Sequence, residues 1–378
     1  MIGYYVHHQG AGHRHRATAV ARRLRHEVTG LGSGPRPDGW PGAWIDLARD
    51  DDPPVTDPER ADVTAGGRLH WAPLHHEGLR QRHRQILAWA AQARPSLVVV
   101  DVSVEVSLLV RLFGVPVVVG AMPGDRTDPV HALAHDLAEA ILAPWPRGAH
   151  GDQGWPQRWR DKTWEVGGIS LLHDAPAGAP GPGGAQARRS EDRAAHRVDG
   201  RGAPRSEGRE VLVVWGSGGE DLDRDQLRAA RAATPGWTWT VRGGGYPPAE
   251  DLVADLARAD VVVCHAGQGS VADVATTRRP AVVLAQTRPH GEQLATAAAV
   301  ERLGLAATGY GWPAPEEWPG LLERALELGG EGWSAWGGDG AVEAAARLDA
   351  LADHYAVSGA LDPGRLVIDR LFGTPGPR

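Results

Sequence analysis

Short apolar runs alternate with amphipathic stretches from the start of this 378-residue chain. Runs of four or five aliphatic residues bounded by Gly, Pro or Asp predict strands, and the longer polar-punctuated stretches between them predict helices. In the first half this gives a strand over 3–7, a loop over 9–12, a helix over 13–26, a helix over 79–94 and a strand over 97–100 that ends at Asp101. A helix through 108–113, a strand over 115–119 and a helix over 130–141 follow, and 164–168 closes the half. Residues 32–67 are rich in Gly, Pro and Asp and read as a long loop with a short strand at 44–47. The second half restarts with a strand over 210–215, a turn over 216–219, a helix over 223–233 and a strand over 237–241. Two further strands, at 261–264 and 282–284, flank a helix, and amphipathic helices follow at 316–328 and 340–354.

Apolar periodicity vanishes over residues 175–208, where Gly, Pro, Ala, Arg and Ser dominate; such a stretch cannot bury a core and is expected to be a mobile linker. The predicted organisation is therefore an N-terminal Rossmann-like domain over 1–170, the linker, a second domain over 209–356 and a tail over 357–378. The fold class is α/β, with two parallel sheets facing across a cleft. Ligands of such sheets bind beyond the carboxyl ends of the strands, so the chemistry belongs at the turns there.

Composition narrows the function. The chain has 40 basic and 47 acidic residues and a net charge of −7, so it offers no general attraction to nucleic acid. Its single cysteine excludes an internal disulfide framework and fits a reducing interior; the strand position of Cys264 marks it as a core residue. The first residues lack a basic segment followed by a long apolar one, and no apolar run reaches membrane-spanning length, so a cytoplasmic location is expected. Tryptophan is in excess, at 15 residues against 2 phenylalanines. Trp40, Trp44, Trp71, Trp89, Trp145, Trp155, Trp159 and Trp164 lie in the first half, most of them expected in the core, with peripheral membrane contact or sugar stacking as the alternative use.

The most informative segment runs from 260 to 297. The strand Val261-Val262-Val263-Cys264 leads into His265-Ala266-Gly267-Gln268-Gly269-Ser270, and the amides of Gly267 to Ser270 open a helix. A helix N-terminus presents free N–H groups and partial positive charge, which suits a diphosphate. Asp273, one turn further on, can accept hydrogen bonds from ribose hydroxyls, and Glu292-Gln293 after the next strand can do so from a sugar ring. In the first half, Gly10-Ala11-Gly12-His13 follows the first strand. The glycines let backbone approach a ligand, and His13 is the candidate general base, with Asp101 as its orienting carboxylate. His7, His8, His13 and His15 lack a carboxylate or cysteine at a usual ligand spacing, so no metal site is predicted.

These segments resemble the two-domain glycosyltransferases that include the lipid-linked N-acetylglucosaminyltransferase of peptidoglycan synthesis and the antibiotic and plant UDP-glycosyltransferases. Their His-x-Gly-x-x-Ser/Thr turn corresponds to His265, Gly267 and Ser270, their ribose carboxylate to Asp273, and their sugar-binding Asp/Glu-Gln pair to Glu292 and Gln293. The Gly-x-Gly-His loop corresponds to Gly10, Gly12 and His13. Two departures are visible: Thr296 stands where the family usually has Asn, and Arg16 where it frequently has Pro. The resemblance implies a GT-B fold and inverting, metal-independent transfer from a nucleotide-sugar, UDP-linked, to a hydroxyl acceptor on a small molecule, lipid or glycan. No cofactor besides that co-substrate is implied. Departing charge would be met by His265, by the amides of Gly267, Gln268, Gly269 and Ser270, and by Ser217-Gly218, with Gly12 close by. The rival readings are a UDP-sugar 2-epimerase, which needs an acidic set in the first half that the sequence lacks, and a non-catalytic nucleotide-sugar-binding protein.

Overall fold

The structure is a computed structural model and describes residues 1–8, 10–174, 208–216 and 222–358. Almost all of the expected linker, the tail beyond Ser358 and the turn residues Ser217 and Gly218 lie outside the described residues. Among the described residues two parallel sheets form.

The first sheet contains β1 (Ile2–Tyr5), β2 (Val28–Gly32), β3 (Ala43–Asp46), β4 (Leu97–Val100), β5 (Val117–Gly120), β6 (Ala140–Ala143) and β7 (Thr163–Glu165), in the order β3-β2-β1-β4-β5-β6-β7. Helices α1 (Ala11–Ala21), α2 (Glu77–Ala93), α3 (Val104–Leu112), α4 (Pro129–Leu137) and α5 (Gln157–Arg160) connect them. The second sheet contains β8 (Arg209–Trp215), β9 (Trp237–Gly243), β10 (Val261–His265), β11 (Ala281–Ala285) and β12 (Ala307–Tyr310), in the order β12-β11-β10-β8-β9. The helices of the second half are α6 (Arg224–Ala233), α7 (Leu252–Arg258), α8 (Gln268–Thr277), α9 (Glu292–Arg302), α10 (Trp318–Leu328) and α11 (Gly340–Ser358). The runs β4, β10 and β11 are buried along their whole length, as strands covered on both faces must be.

Three expectations need correction. The stretch 130–141 is not one helix: α4 ends at Leu137, and Ala140-Ile141-Leu142-Ala143 is strand β6, buried between β5 and β7, because tertiary pairing overrides the helical preference of its alanines. The loop region 32–67 is preceded by an unexpected strand, β2. Helix α11, grouped by sequence with the second domain, packs on the first: Ala341, Ala344, Ala345 and Leu348 join the core of Ile2, Tyr4 and Val20. There Asp349 accepts hydrogen bonds from the amides of Arg25 and His26.

Of the eight tryptophans of the first half, five are buried and the other three half-buried. No helix among the described residues is long and apolar enough to cross a membrane.

Candidate functional site

Both sheets reverse strand order where a site is expected: the first between β1 and β4, the second between β8 and β10. The turn after β1 begins α1 at Gly10, whose φ of 90° is in the left-handed range that glycine tolerates, and this aims the first turn of the helix back over the sheet edge. His13 lies in that turn. Its Nδ1 is 3.0 Å from Asp101 Oδ2, at the end of β4. Arg16, one turn on, hydrogen-bonds the other oxygen, Asp101 Oδ1. Asp101 is 1% exposed. Burial alone would raise its carboxyl, yet the Arg16 and His13 charges and hydrogen bonds hold it well below the usual carboxylate range. An ionised Asp101 that accepts from His13 Nδ1–H leaves Nε2 as the imidazole's basic nitrogen, the tautomer a general base needs.

Across the domain boundary, the turn after β10 opens α8. Gly267 is the N-cap and no side chain caps the helix, so the amides of Gln268, Gly269 and Ser270 have neither intrahelical nor side-chain acceptors. A Cβ built on Gly269 would meet nothing within 4 Å. It faces the first domain: Arg16 Nη1 donates to Gln268 Oε1 at 2.6 Å. One guanidinium therefore joins the carboxylate behind His13 to the start of α8.

His265 stands differently from its expected place on a leaving group. Its ring lies between two backbone turns, with Gly216 N 3.1 Å from Nε2 and Gly267 N 3.2 Å from Nδ1. Burial, with the Arg288 charge adding to it, pushes its pKa down to about 4, so the imidazole is neutral at physiological pH. The ring also explains the glycines beside it. A Cβ at 216 would lie 2.4 Å from Nε2, and one at 267 would lie 2.8 Å from Cε1.

Asp273 accepts a hydrogen bond from Ser170 Oγ of the first domain at 2.5 Å, and burial raises its pKa to about 6. Glu292, at the start of α9, pairs with Arg126 of the first domain at 3.2 Å. Gln293 is turned inward, 3% exposed, and its Oε1 accepts from the amide of Gln286 at 3.0 Å. The Glu-Gln pair thus divides: Glu292 faces the boundary, while Gln293 braces the loop after β11. Thr296, in the place of the family's Asn, is buried and donates to the Glu292 carbonyl at 3.1 Å. The Asp125 amide donates to the His290 carbonyl at 3.0 Å and seats the loop before α4 on the start of α9.

Beyond Asp101 the first domain holds an open pocket at the carboxyl ends of β4 and β5 and between α3 and α4. Gly120 is on its wall, and a Cβ there would lie 3.0 Å from Asp101 Oδ1. The cavity and the His13–Asp101 pair therefore share a partition. Among the described residues two clusters have metal-ligating chemistry, His8 with Asp50 and Asp51 and His70 with Asp128 and His131. Each already has a guanidinium: Arg82 Nη2 is 3.1 Å from Asp50, and Arg126 Nη1 is 3.1 Å from His131 Nε2.

Residues 243–311 match the glycosyltransferase family 28 C-terminal domain. The chain carries that domain on a GT-B fold. Its structure is similar to the glycotransferase of kitacinnamycin, with TM-score 0.57 and 19% identity over 93% of this chain and 98% of that one. It is similar to MurG of Acinetobacter baumannii, with TM-score 0.57 and 15% identity over 93% and 99%, and to the glycosyltransferase SnogD from Streptomyces nogalater, with TM-score 0.55 and 19% identity over 93% and 99%. At these identities the likeness is one of fold. No curated protein matches the chain in sequence. The matched domain contains the α8 turn, Asp273, Glu292 and Gln293.

Sequence reasoning missed two residues that join the halves, Arg16 and Arg126. The signal for Arg16 was its place in a loop that usually has proline. Arg126 had none, because it meets Glu292 only through the fold.

Proposed function

We propose that the chain transfers a sugar from a nucleoside diphosphate, UDP by resemblance, to a hydroxyl acceptor with inversion at the anomeric carbon. The observation that carries this is the Arg16 bridge, which joins Asp101 of the base pair to Gln268 at the open helix start. His13 takes the acceptor proton, the acceptor oxygen forms its bond to C1, and the C1–oxygen bond to the diphosphate breaks with its electron pair leaving on the nucleotide. The amides of Gln268 to Ser270 receive that charge, aided by the Arg16 guanidinium, whose pKa is raised by Asp101 despite its burial. Asp273 takes the ribose hydroxyls once Ser170 yields, and Glu292 takes sugar hydroxyls. His265 contributes by fixing the two turns rather than by charge. The cavity beside Asp101 receives the acceptor.

Incubation with a panel of labelled nucleotide-sugars tests the reading: transfer or slow donor hydrolysis is expected, whereas free 2-epimer or binding without turnover would replace it. His13→Ala should lower turnover by about 10²-fold or more and leave UDP affinity intact; unchanged turnover removes His13 as base.

A further inference from the structure

The loop between β11 and α9 carries a cation without a structural task. The loop itself is fastened: the Gln286 amide donates to Gln293 Oε1 at 3.0 Å, the Gly291 amide to the Arg288 carbonyl at 3.1 Å, and the Asp125 amide to the His290 carbonyl at 3.0 Å. Within it Arg288 is extended, with φ −141° and ψ 153°, and half-buried, while Thr287 and Pro289 on either side are exposed. Successive side chains of an extended segment point to opposite sides. Thr287 turns toward β12, where its Oγ1 lies 2.6 Å from Tyr310 Oη. In the order β12-β11-β10 the opposite side is that of β10, and there the Arg288 charge acts on His265, at the end of that strand. His265 in turn touches both the turn after β8 and the turn that opens α8. Among the described residues the Arg288 guanidinium has no hydrogen bond and no ion pair.

We propose that Arg288 grips the diphosphate of the donor, its guanidinium taking the phosphate that is bonded to the sugar. This rests on the glycosyl-transfer reading and adds to it the residue that neutralises the leaving group. The amides that open α8 offer dipoles but no formal charge, and His265, kept neutral by burial, offers none either. Arg16 has one nitrogen on Asp101 and another on Gln268, so its charge is already shared. Arg288 is an uncommitted cation, and a planar guanidinium can hold two phosphate oxygens at once. The order of contacts along the donor selects the phosphate. Asp273, for the ribose, lies inside α8, the diphosphate at its start, and Glu292, for the sugar, begins α9. Arg288 stands just before Glu292 and acts on the turn that opens α8, so it falls where the diphosphate meets the sugar. When the C1–oxygen bond breaks, its electron pair stays on that phosphate, and the guanidinium beside it meets the new charge.

Calorimetric titration of the full chain with UDP and with UMP tests this. The wild type should bind UDP at least about tenfold more tightly than UMP, which lacks the second phosphate. Arg288→Gln should weaken UDP binding by about 10- to 100-fold and UMP binding by no more than about threefold. Arg288→Lys keeps the charge without the planar fork and should retain part of the UDP affinity. Equal wild-type affinities for the two nucleotides, an unchanged UDP affinity in Arg288→Gln, or an equal loss for both nucleotides overturns the proposal. Should the glutamine variant fail to fold, Arg288→Lys decides: a UDP-to-UMP ratio reduced by about threefold or more supports the assignment, and a smaller reduction overturns it. The two readings separate in the same titrations. UDP binding that survives the loss of Arg288 overturns this assignment alone, whereas wild-type protein that binds neither nucleotide overturns glycosyl transfer and this assignment with it.

Discussion

Replacing Asp273 by Asn separates the energetic burden of that carboxylate from its use. Asp273 is half-buried in the early part of α8, and burial lifts its pKa from 3.8 to about 6 against the lowering effect of the Ser170 hydrogen bond. A carboxyl with a folded pKa above its unfolded one binds its proton more tightly in the native state. Its contribution is therefore most favourable below about pH 4 and is lost as pH rises to about 6, where it levels off at a cost of about 3 kcal/mol. That figure is an upper value, since water reaches part of the group. Asp273→Asn keeps an acceptor for the Ser170 hydroxyl and removes the charge. At pH 7.5 its melting temperature should exceed that of the wild type by up to about 6 °C, and the gap should close near pH 4. Binding should show the opposite preference. Ribose hydroxyls that donate to the carboxylate favour its ionised form, so wild-type UDP affinity should strengthen as pH rises through 6, with proton release in calorimetry, while the Asn variant binds about 1–3 kcal/mol more weakly and without that dependence. Melting and binding profiles that are parallel for the two proteins across pH 4–7.5 would refute both the strain and the ribose contact.

Three other substitutions probe separate parts of the argument. Asp101→Asn removes the charge that orients His13 and should reduce turnover by about 10²-fold or more with UDP affinity retained; a change confined to KM would contradict the orienting role. Gly216→Ala places a methyl 2.4 Å from His265 Nε2 and should cost about 1–3 kcal/mol, read as a lower denaturant midpoint with an unchanged slope; no loss would mean the turn moves freely. Arg82→Met takes a fully buried guanidinium away from Tyr5 Oη at 2.7 Å, Ser33 Oγ at 2.7 Å and Asp50 at 3.1 Å, and should destabilise by about 3–5 kcal/mol in urea unfolding.

Strands such as β4, β10 and β11 were legible because an unbroken aliphatic run of four or five residues between Gly, Pro or Asp has few other uses in an α/β chain. Strand β2, Val-Thr-Gly-Leu-Gly, was not, because its glycines look like a turn. Their purpose is tertiary: a Cβ at Gly30 would lie 2.2 Å from Trp44 Cε3, and one at Gly32 would lie 2.9 Å from Trp44 Cζ2. Gly3 of β1 stands in the same relation to Trp89, at 2.3 Å. Indole rings occupy the space that strand side chains usually fill, which accounts for part of the tryptophan and glycine excess that composition could only record. At the site, the strand-to-helix turn at Gly267 was legible from spacing, because it is set by backbone. His265, Gln293 and Asp273 could be located but not assigned a partner, since Gly216, Gln286 and Ser170 come from other turns of the fold.

The two arginines that sequence did not assign explain how the halves could act together. Arg16 reaches from α1 to Gln268, and Arg126 from the loop before α4 to Glu292, so two of the proposed donor-side positions are each held by a cation of the first domain. A diphosphate at the start of α8 offers Arg16 a stronger partner than the Gln268 amide oxygen, and it can be accepted without releasing Asp101, which is bound through a different nitrogen. Sugar hydroxyls approaching Glu292 act on the same carboxylate that fixes Arg126, and Arg126 in turn lines the acceptor cavity. On the proposed reading, a sugar at Glu292 would change the charge balance at the pocket through Arg126. The proposed transfer would require both substrates to be in place before the donor bond breaks, and a shared arginine is a direct physical means of linking the two events.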